Sequence, residues 1–404
     1  MNISALSINK LFKILGGEPK LGLLAVVIIS SLFFVAPLAL GIFLLVLSSI
    51  SSSKNGVLVG IALVVFSFFL INLNKVVVND LIWYSEHYFL NLTDYYYEVF
   101  GGYRAGVQAR WTEPFYHSLS YVISNLTSAN YTVFVFMVTV GIYGGGLYSV
   151  NRFIRLSGLN SRKAAIVLIF FLFFGVVFTQ SLHLIRQYLA CMFILVSLVG
   201  LVRGRVNCFF LFAALAFLTH NATFIVSILF YSIYFLVRND REIKINFLYC
   251  FGVSFTLAAA YIVSFFILGS ESRLMIDDGS IGAIVKITDA SLFVLSLFVF
   301  IRHKEIRLIE RYVFFMYFSF CVFLFVLHFS GFLGLRYYFY LDFLRWIPVY
   351  MIFLCVPFDF KFDISVSIGM VFLGVFYAAA RMERSPFDYG AGFFEYLFYP
   401  LNIF

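Results

Sequence analysis

A chain of 404 residues with 63% hydrophobic and only 12% charged side chains is not a soluble protein, since soluble domains carry roughly a quarter charged residues. Its mean hydropathy of +0.99 and repeated apolar runs of about 20 residues indicate transmembrane helices, so 1–404 reads as one integral membrane domain. The net charge of +8 does not imply nucleic acid, because excess Lys and Arg in short loops is what membrane orientation requires and no basic run of five or more stands alone.

The predicted spans, in chain order, fall near 21–50, 56–74, 130–150, 163–183, 187–202, 206–219, 222–237, 246–268, 288–301, 312–334, 337–356 and 364–380. This is an all-α polytopic architecture of roughly 11–13 transmembrane helices. The first run is too long for a cleaved signal and lacks a small-residue cleavage site. It is also long for one span and contains Pro37, which favours two short helices broken there. The alternative is a chain that starts outside against Lys10, Lys13 and Lys20. The stretch 75–129 is long and aromatic-rich. No internal repeat is evident. Cys191, Cys208, Cys250, Cys321 and Cys355 all fall in apolar runs without a CxxC pair, so they read as small core residues.

Four loops set the orientation. They hold Arg152, Arg155, Arg162 and Lys163; Arg203 and Arg205; Arg238, Arg241 and Lys244; and Arg302, Lys304, Arg307 and Arg311. The positive-inside rule makes these loops cytoplasmic. The run 163–183 then leaves the cytoplasm and 187–202 returns. The segment 206–237 turns over near "LTHNAT", and 75–129, 269–287, 335–337 and the tail 381–404 face outward.

Arg186 begins a helix that descends to Arg203, about 26 Å of travel at 1.5 Å per residue. His220 ends a helix that climbs about 22 Å from Arg205. Both belong near the outer boundary, on adjacent helices joined by a short loop, and Arg336 reaches the same level independently in "GLRYYFY". Arginine on the outer side works against the orientation rule, so it needs a reason. Guanidinium donors match phosphate oxygens, and histidine exchanges a proton near neutral pH. The set suggests a site that holds a diphosphate leaving group and deprotonates a hydroxyl.

Plainer explanations apply elsewhere. A terminal Arg can snorkel to headgroups, and most Tyr and Phe here suit lipid and the aromatic belt. His183, three residues before Arg186, and His328 read as structural; His87 and His117 carry little signal. Asp277-Asp278 reads as a solvated turn, and no DxD spacing supports a metal-dependent nucleotide-sugar transferase. Arg345 lies within a span and has Asp342 three residues before it as a local partner.

The stretch "LIRQYLACMFILVSLVGLVRGRVNCFFLFAALAFLTHNATFIVSILFY" resembles the central motif of the EpsG-type Wzy polysaccharide polymerases. The matching positions are Arg186, Gln187, Ala190, Arg203, Ala214, His220 and Asn221. "TDYYYEVF" and "TEPFYHSLSYVIS" are similar to the family's outer segment at Asp94, Tyr95, Glu113, Pro114 and Tyr116, although Leu92-Thr93 depart from its usual entry into Asp94. "GLRYYFYLDFLRWIP" carries over Arg336.

The resemblance implies a GT-C-like membrane glycosyltransferase, multi-pass in the bacterial inner membrane. It would move an undecaprenyl-diphosphate-linked glycan onto the next lipid-linked repeat unit at the outer face, working with membrane lipids and a chain-length regulator, and with neither cofactor nor metal. In that scheme Arg186 and Arg336 bind the diphosphate, and His220 and Glu113 are the catalytic acid–base candidates. Gln187, Asp94, Tyr116, His183 and Asn221 support them, and 186–237 forms the catalytic core. A buried Glu113 is expected to have a pKa raised toward neutral. The rival readings are an O-antigen ligase and a lipid-linked oligosaccharide flippase, the latter calling for charge at the bilayer midplane.

Overall fold

The computed structural model describes residues 31–51, 53–76, 113–238, 242–267, 283–303, 306–329, 334–355 and 360–398. Among these, every regular element is helical. The first half comprises α1 (Pro37–Ser51), α2 (Lys54–Leu73), α3 (Pro114–Leu126), α4 (Tyr131–Ser157), α5 (Ser161–Phe170), α6 (Ile185–Val202) and α7 (Val206–Thr219). The second comprises α8 (Thr223–Arg238), α9 (Ile243–Ile267), α10 (Ala283–Arg302), α11 (Leu308–Phe329), α12 (Gly334–Asp342), α13 (Trp346–Cys355) and α14 (Phe360–Glu383). Among the described residues 7 segments are long and apolar enough to cross a membrane, and α1, α7 and α8 are shorter apolar helices. The chain is an all-α, multi-pass membrane protein.

Local chemistry sets several boundaries. Helix assignment is interrupted at Ala36, before Pro37, yet helical hydrogen bonds continue on both sides, which makes a proline kink. Asn130 and Asn160 cap α4 and α5 by accepting from Val133 and Lys163 backbone N–H groups, and Gly158, at φ 69°, ends α4 in the left-handed conformation. α6 and α7 form a tight hairpin in which Gly200 faces the Cys208 Cβ and the Phe209 backbone, leaving little room for a side chain. The expected turnover at "LTHNAT" is present as residues 220–222.

Two expected spans are not continuous helices. The run 163–183 stops being α-helical at Phe170, passes through a π-turn at Phe171–Gly175 and a 3-10 turn at Phe178–Gln180, and resumes only at Ile185. Irregular backbone is tolerated at membrane depth only where protein surrounds it and supplies hydrogen bonds. Both conditions are met, since Phe171, Leu172, Val176, Phe178, Thr179 and Ser181 are all buried. The Val176 carbonyl accepts from the Tyr143 hydroxyl at 3.2 Å, and that of Phe178 from Asn72 Nδ2 at 3.2 Å and Ser181 Oγ at 2.7 Å. The Thr179 carbonyl accepts from Lys75 Nζ at 2.7 Å and the Tyr389 hydroxyl at 3.3 Å. Apolar composition on both sides hides this break from a periodicity argument.

The run 337–356 is likewise two helices, α12 and α13, joined by a turn at 343–345. Arg345 in that turn pairs with Asp342 at 2.6 Å, the local partner read from the sequence. It also makes a bidentate pair with Asp289 of α10, at 2.8 and 2.9 Å, and donates to the Phe174 carbonyl at 3.5 Å. The two interruptions therefore meet each other. A buried guanidinium facing two carboxylates is held by geometry that satisfies each group, and removal of one member leaves the others uncompensated.

Candidate functional site

The site forms at the end of the α6–α7 hairpin opposite Arg203–Arg205. Arg186 lies in the first turn of α6, and His220 is the residue that terminates α7. The His220 carbonyl accepts from the backbone N–H and hydroxyl of Thr223, which fixes the corner where α8 starts. Helix α3 packs on α7. Pro114 at its first position starts that helix, and Glu113 just before it makes no side-chain cap.

The Glu113 carboxylate instead reaches both predicted residues. Its Oε1 lies 2.8 Å from His220 Nδ1, and its Oε2 accepts from Arg186 Nη1. Three positions from separate parts of the chain thus converge on one carboxylate. Arg186 in the first turn of a helix opposes the helix dipole, and Glu113 at 6% side-chain exposure compensates it, whereas Arg186 at 19% is the more accessible of the pair.

The expected rise in the Glu113 pKa is overturned. Burial does push the carboxyl upward, but the hydrogen bond with His220 and the positive charge of Arg186 outweigh it and hold the group down at about 2. Glu113 is therefore ionised at neutral pH and can only accept. His220 Nδ1 must then be the donor, which leaves the lone pair of the neutral ring on Nε2. A carboxylate orienting a histidine in one tautomer is the arrangement of a general base.

The other predicted residues divide. Tyr116 and Gln187 are buried in the first turns of α3 and α6, beside Glu113 and Arg186 in sequence. Asn221 is exposed in the turn after His220. His183 belongs elsewhere: its ring stacks on Phe387 at 3.5 Å. Asp94 falls outside the described residues, and Arg336 lies in the first turn of α12 with its side chain outside them. Two residues were missed. His117, buried one turn after Glu113, adds to the positive potential that holds the carboxyl down; its i, i+4 spacing from Glu113 was the available signal. Tyr340 of α12 lies with its ring 6.5 Å from that of His220 and nearly parallel to it, a long-range contact no local pattern announces.

Fold and site together define a multi-pass helical membrane protein with a half-buried Arg–Glu–His cluster at one end of its bundle. Residues 57–398 match the EpsG family, and the chain belongs to that family. It is accordingly a membrane protein of the polysaccharide-polymerase type. No curated protein and no solved structure matches the chain.

Proposed function

We propose that this protein is a polysaccharide polymerase that transfers a glycan from undecaprenyl diphosphate to the non-reducing end of the next lipid-linked repeat unit, at the outer face of the cytoplasmic membrane. The observation that carries the reading is the Arg186–Glu113–His220 cluster. The bond from the anomeric carbon to the diphosphate oxygen breaks, and its electron pair leaves with the diphosphate. The bond to the acceptor hydroxyl forms, and the hydroxyl proton passes to His220 Nε2. Glu113 stabilises the resulting imidazolium.

Arg186 meets the diphosphate, with Arg336 contributing from α12. An anion that draws Arg186 away weakens one of the interactions holding the Glu113 carboxyl low. Two guanidinium groups supply the neutralising charge that a divalent cation would otherwise provide. The outward orientation is supported by the four arginine-rich loops at the opposite ends of the helices.

The test is a surface-polysaccharide gel from a deletion strain complemented with wild type, Arg186→Ala or His220→Ala. Wild type restores the ladder, and both variants leave single capped repeat units while remaining in the membrane. A normal ladder from both variants refutes the mechanism. Loss of all capped material with lipid-linked polymer still accumulating indicates a ligase. A second reading, a flippase, is favoured by the buried Arg345–Asp289–Asp342 group, which supplies the deep charge a transporter needs. It predicts repeat units trapped on the cytoplasmic side.

A further inference from the structure

A polymerase of this kind must hold two lipid diphosphates at once. The donor diphosphate sits where its bond breaks. The acceptor reacts through a hydroxyl at the far end of its sugars, so its own diphosphate must lie one oligosaccharide away from the cluster.

The structure has a groove of about 400 Å³ between α9, α10, α11 and α12, within the ~300–1,000 Å³ range of ordinary ligand sites. Its walls are apolar and aromatic, including Phe251, Phe293 and Phe325, and its lining also carries Lys286 and His328. Lys286 lies in the first turn of α10 and His328 in the last turn of α11. These helices form a hairpin closed at the Arg302–Leu308 connection, so both basic residues lie at its other end, where α12 begins. Phe293 lies seven residues beyond Lys286 along α10, about 10 Å deeper. Lys286 opposes its own helix dipole, and among the described residues it forms no ion pair. The groove thus combines an apolar trough with a basic end, and the acid in its lining, Asp289, is already engaged by Arg345 and the Tyr338 hydroxyl.

Its position is the second observation. Tyr338 and Leu341 of α12 line the groove, while Tyr340 of the same helix faces His220. One helix, about 10–12 Å across, therefore separates the groove from the reacting cluster. We propose that the groove holds the first isoprene units of the acceptor lipid, with Lys286 and His328 binding its intact diphosphate, so that the sugars extend past α12 to His220. This rests on the polymerase reading for the choice of lipid.

The test uses the purified full chain in nanodiscs, a preformed lipid-linked oligomer as donor and a labelled lipid-linked repeat unit as acceptor. Lys286→Gln and the groove-filling Ala290→Trp raise KM for the acceptor about tenfold, with donor KM and kcat unchanged. With a repeat unit lacking its lipid, variants and wild type react alike. A rise in donor KM instead, or equal loss with the lipid-free acceptor, overturns the assignment. In parallel, native mass spectrometry measures undecaprenyl diphosphate retained against excess phosphatidylglycerol. Selective retention that Lys286→Gln abolishes supports the groove even if wild type makes no polymer, in which case the polymerase reading alone fails. Equal retention of phosphatidylglycerol means an ordinary lipid groove and overturns the proposal.

Discussion

Replacing Glu113 with Gln tests the cluster most directly, because one nearly isosteric change removes the charge that holds Arg186 and His220 together. The carboxyl pKa falls from an ordinary 4.5 to about 2 in the folded protein. That shift corresponds to about 3 kcal/mol of stability at neutral pH. The sign follows from linkage. A depressed carboxyl pKa means the unfolded chain binds the proton first on acidification, so the contribution is complete above about pH 4.5 and is lost as the pH falls toward 2. Thermal unfolding in detergent between pH 3 and 8 should show wild type losing stability in that acid window and Glu113→Gln lacking that component. Polymer formation should fall by about a hundred- to ten-thousandfold, the range expected when a general base loses its orienting partner. An unchanged acid profile together with a normal polymer ladder refutes both the electrostatic and the catalytic reasoning.

Three other perturbations follow from the packing. Arg345→Met leaves Asp289 and Asp342 buried without their cation and should destabilise the protein by about 3–5 kcal/mol, seen as loss of the monodisperse peak in fluorescence-detected size exclusion; a normal peak contradicts this. Burial lowers the Lys75 pKa to about 6 from 10.5, so the unfolded chain holds the extra proton between those values and stability should rise with pH across that window. Lys75→Met should flatten that rise, and an identical slope in both proteins counts against it. On α2, a Cβ at Gly60 meets the Leu45 backbone nitrogen at 3.0 Å, so Gly60→Leu should separate α1 from α2 and reduce folded yield, whereas wild-type yield would mean the contact yields easily.

The hairpin was legible from the sequence because its information is local. Arg186 and His220 are separated by two helices and one short basic turn, and rise per residue alone brings them to the same end. Glu113 was also named, but its protonation behaviour was misjudged. A carboxylate in an aromatic segment suggests desolvation, and nothing local reveals that an arginine 73 residues on and a histidine 107 residues on both bond to it. Asp289 was missed for the same reason: a charge reads as a solvated helix residue until the span carrying Arg345 packs beside it. The interrupted spans lay beyond periodicity altogether. Phe, Leu and Val occupy 170–178, with Gly175 among them, as they would an apolar span, and the polar groups that make the break affordable come from α2, α4 and the region beyond α14.

That last dependence bears on biosynthesis. The stretch leading into Arg186 is secured in part by Tyr389, whose hydroxyl bonds the Thr179 carbonyl across 210 residues, and Phe387 covers Lys75 at 3.9 Å beside the same carbonyl. During vectorial insertion the helix bearing Arg186 enters the bilayer long before those residues leave the ribosome. The local frame of the cluster is therefore completed only after Tyr389, 210 residues beyond Thr179, has been made. Nascent chains halted short of Phe387 should carry every residue of the cluster and still lack part of the scaffold that positions it.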